Sequence, residues 1–228
     1  MKRVLSLAVA GLFCAALALA QDPVQVDPKH HKVEFEDNRV RVLRITFGPG
    51  EKAPSHEHPA GVAVYLTDAS DLKLNATAGQ TTPSGPRTAG RVLWAEPTTH
   101  APENTGKAPI EVILVEFKAK PGVTKAAAKE NQDDSTKVDP KHYKTEVDND
   151  RVRVIRARYG PGEKSVMHQH PALVAVFLTD GNFKFTMPDG TSREVPVQRG
   201  GVTADAAQQH LPQNLTQKPA EVILVEPK

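Results

Sequence analysis

"GPGEKAPSHEHPAGVAVYLTD", residues 48–68, places two histidines one residue apart behind a Gly-Pro-Gly turn and then runs into an apolar stretch. Side chains alternate faces along a strand, so His56 and His58 share one face while Glu57 points to the other. A lone pair of this kind would also suit a polar surface strand. The rest of the chain decides between the two readings.

The stretch recurs as "GPGEKSVMHQHPALVAVFLTD", residues 160–180. Asp27–Asp68 aligns with Asp139–Asp180 at an offset of 112, without a gap and with 26 of 42 positions identical. Further on, "HAPENTGKAPIEVILVE" from His100 matches "HLPQNLTQKPAEVILVE" from His210 at an offset of 110. One module is therefore used twice, with divergent middle segments at 75–99 and 186–209.

Six of the nine histidines form two matching sets beyond the start of each repeat: His56, His58 and His100, then His168, His170 and His210. The flanks of the third histidine changed between copies ("PTTHAPEN" against "AAQQHLPQN"), yet the histidine and the asparagine four residues on did not. Three neutral imidazoles can form one face of a metal site and leave other positions open. His30, His31 and His142 precede the first strand of each copy, and Tyr143 stands where His31 would recur. They read as packing or surface residues. Asn104 and Asn214 are candidates for outer-sphere donors to the histidines, the alternative being turn residues. Trp94 reads as a packing residue.

The modules carry strand signals. "RVRVLRITF" alternates and is rich in β-branched residues, while "VAVYLT" and "EVILVE" are short apolar runs bounded by turn formers. The alternation changes phase near Val42 and Leu43, which suggests a bulge. No long 3.6-residue period is present, so each module reads as a sandwich or barrel.

These motifs resemble the cupin superfamily. Gly50 and Gly162 each precede a His-x-His with five residues between, and "HAPEN" and "HLPQN" fit the family's second motif. The resemblance covers nearly all of the chain after residue 20. It implies an all-β protein of two tandem cupin barrels (jelly rolls, or double-stranded β-helices), with a divalent metal inside each. By position, His56, His58 and His100 would be ligands of one metal and His168, His170 and His210 of the other. One departure stands out: the family's glutamate should fall at Val62 or Ala63, and at Val174 or Ala175, where no carboxylate exists. Each site then has three neutral ligands and should favour an anionic or enolisable chelator. Imidazole suits Fe, Mn, Ni, Cu or Zn, so the metal's identity does not follow.

Residues 1–20 have Lys2 and Arg3, an apolar run and an Ala-Leu-Ala end, and read as a secretory signal peptide cleaved before Gln21. The expected protein is secreted or periplasmic and has no membrane partner after cleavage. The sole cysteine, Cys14, leaves with this segment, so disulfides play no part. Without Lys2 and Arg3 the 29 Lys+Arg become 27 against 27 Asp+Glu, and a balance this neutral argues against nucleic acid. The expected partners are a small-molecule ligand and, in a homodimer, a second copy. The expected domains are 21–117 and 139–228, joined by a polar linker at 118–138.

Fold says little about chemistry by itself. The leading expectation is a metal-dependent, dioxygenase-like enzyme acting on a small anionic or enolisable compound, with catalytic residues unassigned. The alternative is a protein that binds metal or a small ligand without turnover.

Overall fold

The computed structural model describes residues 21–80, 82, 85–118 and 132–228. The expected signal segment and most of the expected linker lie outside the described residues. The first module contains a helical turn α1 (Pro23–Val26) and strands β1 (His31–Glu36), β2 (Val40–Phe47), β3 (His56–His58), β4 (Gly61–Tyr65), β5 (Leu72–Lys73), β6 (Val92–Ala95), β7 (Thr98–His100), β8 (Glu103–Asn104) and β9 (Ile110–Phe117). The second repeats it with α2 (Ser135–Val138), β10 (Tyr143–Asp148), β11 (Val152–Tyr159), β12 (His168–His170), β13 (Leu173–Phe177), β14 (Gly181–Thr186), β15 (Ser192–Val197), β16 (Val202–Asp205), β17 (Gln208–Asn214) and β18 (Ala220–Pro227). Among the described residues, all pairings between these strands are antiparallel.

Each module is an all-β jelly roll. One wall is a five-stranded sheet, ordered β1-β2-β9-β4-β6 in the first module and β10-β11-β18-β13-β16 in the second. The opposite wall of the second is the sheet β12-β17-β14-β15; in the first it is reduced to the short pairs β3-β7 and β5-β8. Among the described residues no sheet mixes strands from the two copies.

The five-stranded walls lie back to back, which explains the apolar runs. Val62 and Val64 of β4 join Ile113 and Val115 of β9 in a cluster shared with Val152, Val154, Val174, Val176, Ile223 and Val225 of the other module. Ala63 and Tyr65, on the opposite face of β4, join Leu43, Phe47, Val112 and Leu114 inside their own barrel. A strand buried on both faces reads as a continuous apolar run. Burying each such side chain is worth roughly 1.5–3 kcal/mol. Reciprocal arginines close the interface: Arg44 donates to the Gly200 carbonyl and Arg156 to the Gly90 carbonyl, both at 2.6 Å. Trp94 is a packing residue here, stacked on Phe117 with ring centroids 5.9 Å apart.

The same two-sided burial corrects the expected bulge. β2 pairs with β9 one to one from Val40–Phe117 to Phe47–Ile110. The phase change arises because Val40 and Val42 face the other module whereas Leu43 and Phe47 face the barrel interior. The irregularity sits on β1 instead, where the register steps between Val33 and Phe35 opposite Leu43 and Val42. β10 repeats it between Thr145 and Val147.

The end of the expected linker is built into the second repeat. Asp134 caps α2 through the Thr136 amide and pairs with Arg153, as Asp22 caps α1 through Val24 and pairs with Arg41. The structural repeat therefore begins at Asp22 and Asp134, ahead of the sequence match at Asp27 and Asp139.

Candidate metal centre

The Gly-Pro-Gly turns use left-handed glycines, Gly50 at φ 74° and Gly162 at φ 69°, a conformation that costs glycine no steric clash. From there the chain enters β3 or β12 with the pattern that period 2 dictates: His56 and His58 buried and Glu57 exposed, His168 and His170 buried and Gln169 exposed. The third histidine comes from the neighbouring strand. His100 is the direct cross-strand partner of His56, and His210 that of His168. In the first barrel the rings of His56, His58 and His100 stand 4.9–5.1 Å apart. In the second, those of His168, His170 and His210 stand 4.8–5.6 Å apart.

The inner nitrogens fit a metal. His56 Nδ1 donates to the Pro54 carbonyl at 2.9 Å and His168 Nδ1 to the Val166 carbonyl at 2.8 Å. That leaves the buried Nε2 atoms of His56 and His168 without a hydrogen-bond partner, and His100 and His210 each hold a buried Nδ1 in the same condition. Buried polar atoms are nearly always satisfied, so imidazole nitrogens left orphaned within a histidine cluster fit a cation. Burial, reinforced by neighbouring imidazoles, pushes His56 and His168 down to about 4, His210 to about 3 and His100 to about 2. The rings are thus neutral near pH 7, the form that binds metal.

A carboxylate stands behind each site, although none is in the expected place. His58 Nδ1 donates to Glu116 Oε1 at 2.6 Å, and His170 Nδ1 to Glu226 Oε1 at 2.9 Å. Each glutamate is almost fully buried and also bonds an arginine at 2.6 Å, Arg41 or Arg153, which in turn holds Asp22 or Asp134. Such an outer carboxylate fixes the ring's tautomer and raises its basicity. The signal in the sequence was the last residue of "EVILVE": a glutamate closing an apolar strand in both copies.

Asn104 and Asn214 do not contact the histidines. Asn104 Nδ2 donates to the carbonyls of Phe47, Gly48 and Ala108, and its Oδ1 accepts from the Gly106 amide. Asn214 bonds Gly160, Lys218 and Thr216 in the same manner. Both clamp loops, as a turn reading requires. His30 and His142 are structural as well: each bonds a neighbouring aspartate and glutamate and stacks on Phe47 or Tyr159.

His31 departs from its expected packing role. It is buried at the first site, with its ring 4.7 Å from that of His56 and 5.8 Å from that of His58. The ligand atoms of His31, His56 and His58 lie within 4.8 Å of one another, as do those of His168, His170 and His210. In the second barrel Tyr143 takes the His31 place, 4.8 Å from His168, and its hydroxyl bonds that of Tyr159.

The two barrels enclose different spaces. A cavity of about 70 Å³ in the first is bordered by His31, His58 and His100 and otherwise by mostly apolar side chains, with no Lys, Arg, Asp or Glu among the described residues that line it. The second has about 140 Å³ beside His170 and His210, walled by Phe177, Phe183 and Phe185, with Arg193 and Asp205 also lining it. The Arg193 guanidinium lies over the Phe185 ring at 5.8 Å.

Neither protein-family models nor curated proteins match the sequence. Solved structures do. AerE from Microcystis aeruginosa is 15% identical and superposes with a TM-score of 0.63 over 92% of this chain and 97% of its own. A salicylate 1,2-dioxygenase from Pseudaminobacter salicylatoxidans is 12% identical, with a TM-score of 0.54 over 82% of this chain and 70% of its own. A cupin domain from Bordetella pertussis is 26% identical and covers 38% of this chain and 91% of its own, with a TM-score of 0.36. The two longer likenesses concern the fold. With two jelly rolls in tandem and a buried histidine cluster in each, the chain has the fold of two tandem cupin barrels.

Proposed function

We propose that the protein is an exported bicupin that binds a divalent metal in each barrel and serves as a metal-dependent oxygenase for a small anionic or enolisable compound. The observation that carries the metal reading is the pair of orphaned, buried imidazole nitrogens in each barrel, beside three histidines whose ligand atoms lie within 4.8 Å of one another. The second barrel is the better candidate for chemistry, because His170 and His210 border the larger cavity. A redox metal held there would activate oxygen and attract an enolate or carboxylate. The chain's own part is to exclude water with its aromatic wall, orient a flat substrate along Phe185 and offer Arg193 to an anionic group. Glu226 keeps His170 in the tautomer that turns Nε2 inward.

The first barrel favours a second reading for itself, metal binding without turnover. Its cavity is half as large, and among the described residues no charged side chain lines it, Arg87 standing behind Tyr65.

The test is oxygen uptake by anaerobically iron-loaded protein on a panel of diketones, diphenols and hydroxybenzoates. Uptake that disappears in His210→Ala and survives in His100→Ala supports chemistry in the second barrel. Uptake that survives both substitutions comes from free iron and ends the oxygenase reading. Protein that binds metal but consumes no oxygen on any compound is the non-catalytic binding protein.

A further inference from the structure

We propose that His31 is a fourth imidazole ligand in the first barrel, so that the two barrels hold metal in different coordination: a closed four-histidine site and an open three-histidine site. The inference rests on the metal reading above and adds to it a residue and a difference between the sites.

The argument starts from an exchange between the copies. His31 and Phe47 of the first module correspond to Tyr143 and Tyr159 of the second. In the second, the two phenol hydroxyls bond each other, so the Tyr143 hydroxyl is held by Tyr159 even though its ring stands 4.8 Å from that of His168. In the first, Phe47 offers His31 no hydrogen bond and meets it only edge-on, with centroids 6.1 Å apart. His31 Nδ1 lies 3.3 Å from the Asp27 carbonyl, which leaves Nε2 to the site. The ring is 1% exposed and touches both histidines of the His-x-His pair.

Imidazole nitrogens bind first-row divalent ions at about 2.0–2.1 Å, so donor atoms within 4.8 Å of one another need only small side-chain rotations to meet on one ion. His100 lies outside that group of three, but its ring centroid stands 4.9 Å from that of His56 and 5.1 Å from that of His58, so a rotation of its side chain would bring it in as the remaining donor. Four protein ligands are the mark of a closed structural site, whereas catalytic sites keep a position free. The small cavity of the first barrel and the larger one of the second agree with that division.

Cobalt(II) reads the two sites without any activity assay. Full-length chains with His168→Ala and His170→Ala report the first site, and chains with His56→Ala and His58→Ala the second. The first should give visible bands unchanged by azide; the second should give bands that shift as azide enters. His31→Tyr combined with Phe47→Tyr installs the pairing that the second module already tolerates. It should make the first site azide-sensitive and weaken it at least as much as losing an outer-sphere partner does, roughly 10–100-fold. The reciprocal Tyr143→His with Tyr159→Phe should make the second site azide-insensitive. A first site that responds to azide in the chain with native His31, or that keeps its affinity and spectrum after the His31 exchange, overturns the proposal while leaving the metal reading intact. Failure of either site to take cobalt overturns both.

Discussion

Glu116 accepts a 2.6 Å hydrogen bond from His58 Nδ1 at the end of a strand that is otherwise apolar, and Glu226 stands in the same relation to His170 at 2.9 Å. The arginine behind each glutamate shares its charge and is itself held by an aspartate. Carboxylate and aspartate together outweigh the arginine by one negative charge. The metal charge left uncompensated by neutral imidazole ligands thus has a partial counterweight one hydrogen bond removed.

Glu116→Gln should therefore weaken metal binding in the first barrel by roughly 10–100-fold and leave the second unchanged, with Glu226→Gln doing the reverse. Isothermal titration with zinc measures both. Unaltered affinity in either variant would make these glutamates purely structural.

The interface predicts that the barrels unfold together. Ile113 is fully buried within the cluster shared by both modules, so Ile113→Ala should cost about 2–5 kcal/mol. Urea unfolding followed by circular dichroism should show one transition, shifted as a whole. Two transitions, only one of them moved, would mean that the modules are independently stable.

Acid should loosen the same interface. Burial alone would raise Glu221, but the hydrogen bonds from Arg156 and Arg158 outweigh it and hold the carboxyl below the ordinary value for a glutamate. A carboxyl lowered on folding adds stability that is present above its unfolded value and is lost as pH falls through its folded one. The urea midpoint should fall as pH drops below about 4.5, and Glu221→Gln should flatten part of that slope. A slope identical in the variant would remove Glu221 from the account.

Much of this was readable from the residues. Period 2 puts His56 and His58 on one face, and the duplication identified the third histidine although its flanks had changed. Other features depend on packing between modules. The apolar runs of β4 and β9 conceal two faces with separate tasks, and the phase change at Val42–Leu43 marks the switch between them rather than a bulge. His31 was obscured because tyrosine replaces it in the second copy, where a hydroxyl pair fills the same space. Glu116 was obscured because it lies 58 residues from the histidine it supports.

Export predicts a mature chain beginning at Gln21, and intact mass of secreted material checks it. That start retains Asp22, whose carboxylate holds Arg41 behind Glu116, and the Gln21 carbonyl, which accepts from the Glu57 amide at 3.0 Å. A full-length cytosolic product would contradict the signal-peptide reading.

The central claim is that each barrel holds one divalent ion on its histidines. Its most direct test is metal content by mass spectrometry of the native-state chain, before and after His58→Ala. The account predicts two equivalents per chain falling to one, with the remaining ion lost on adding His170→Ala. A chain that binds no metal, or a His58→Ala variant that keeps both ions, would contradict it.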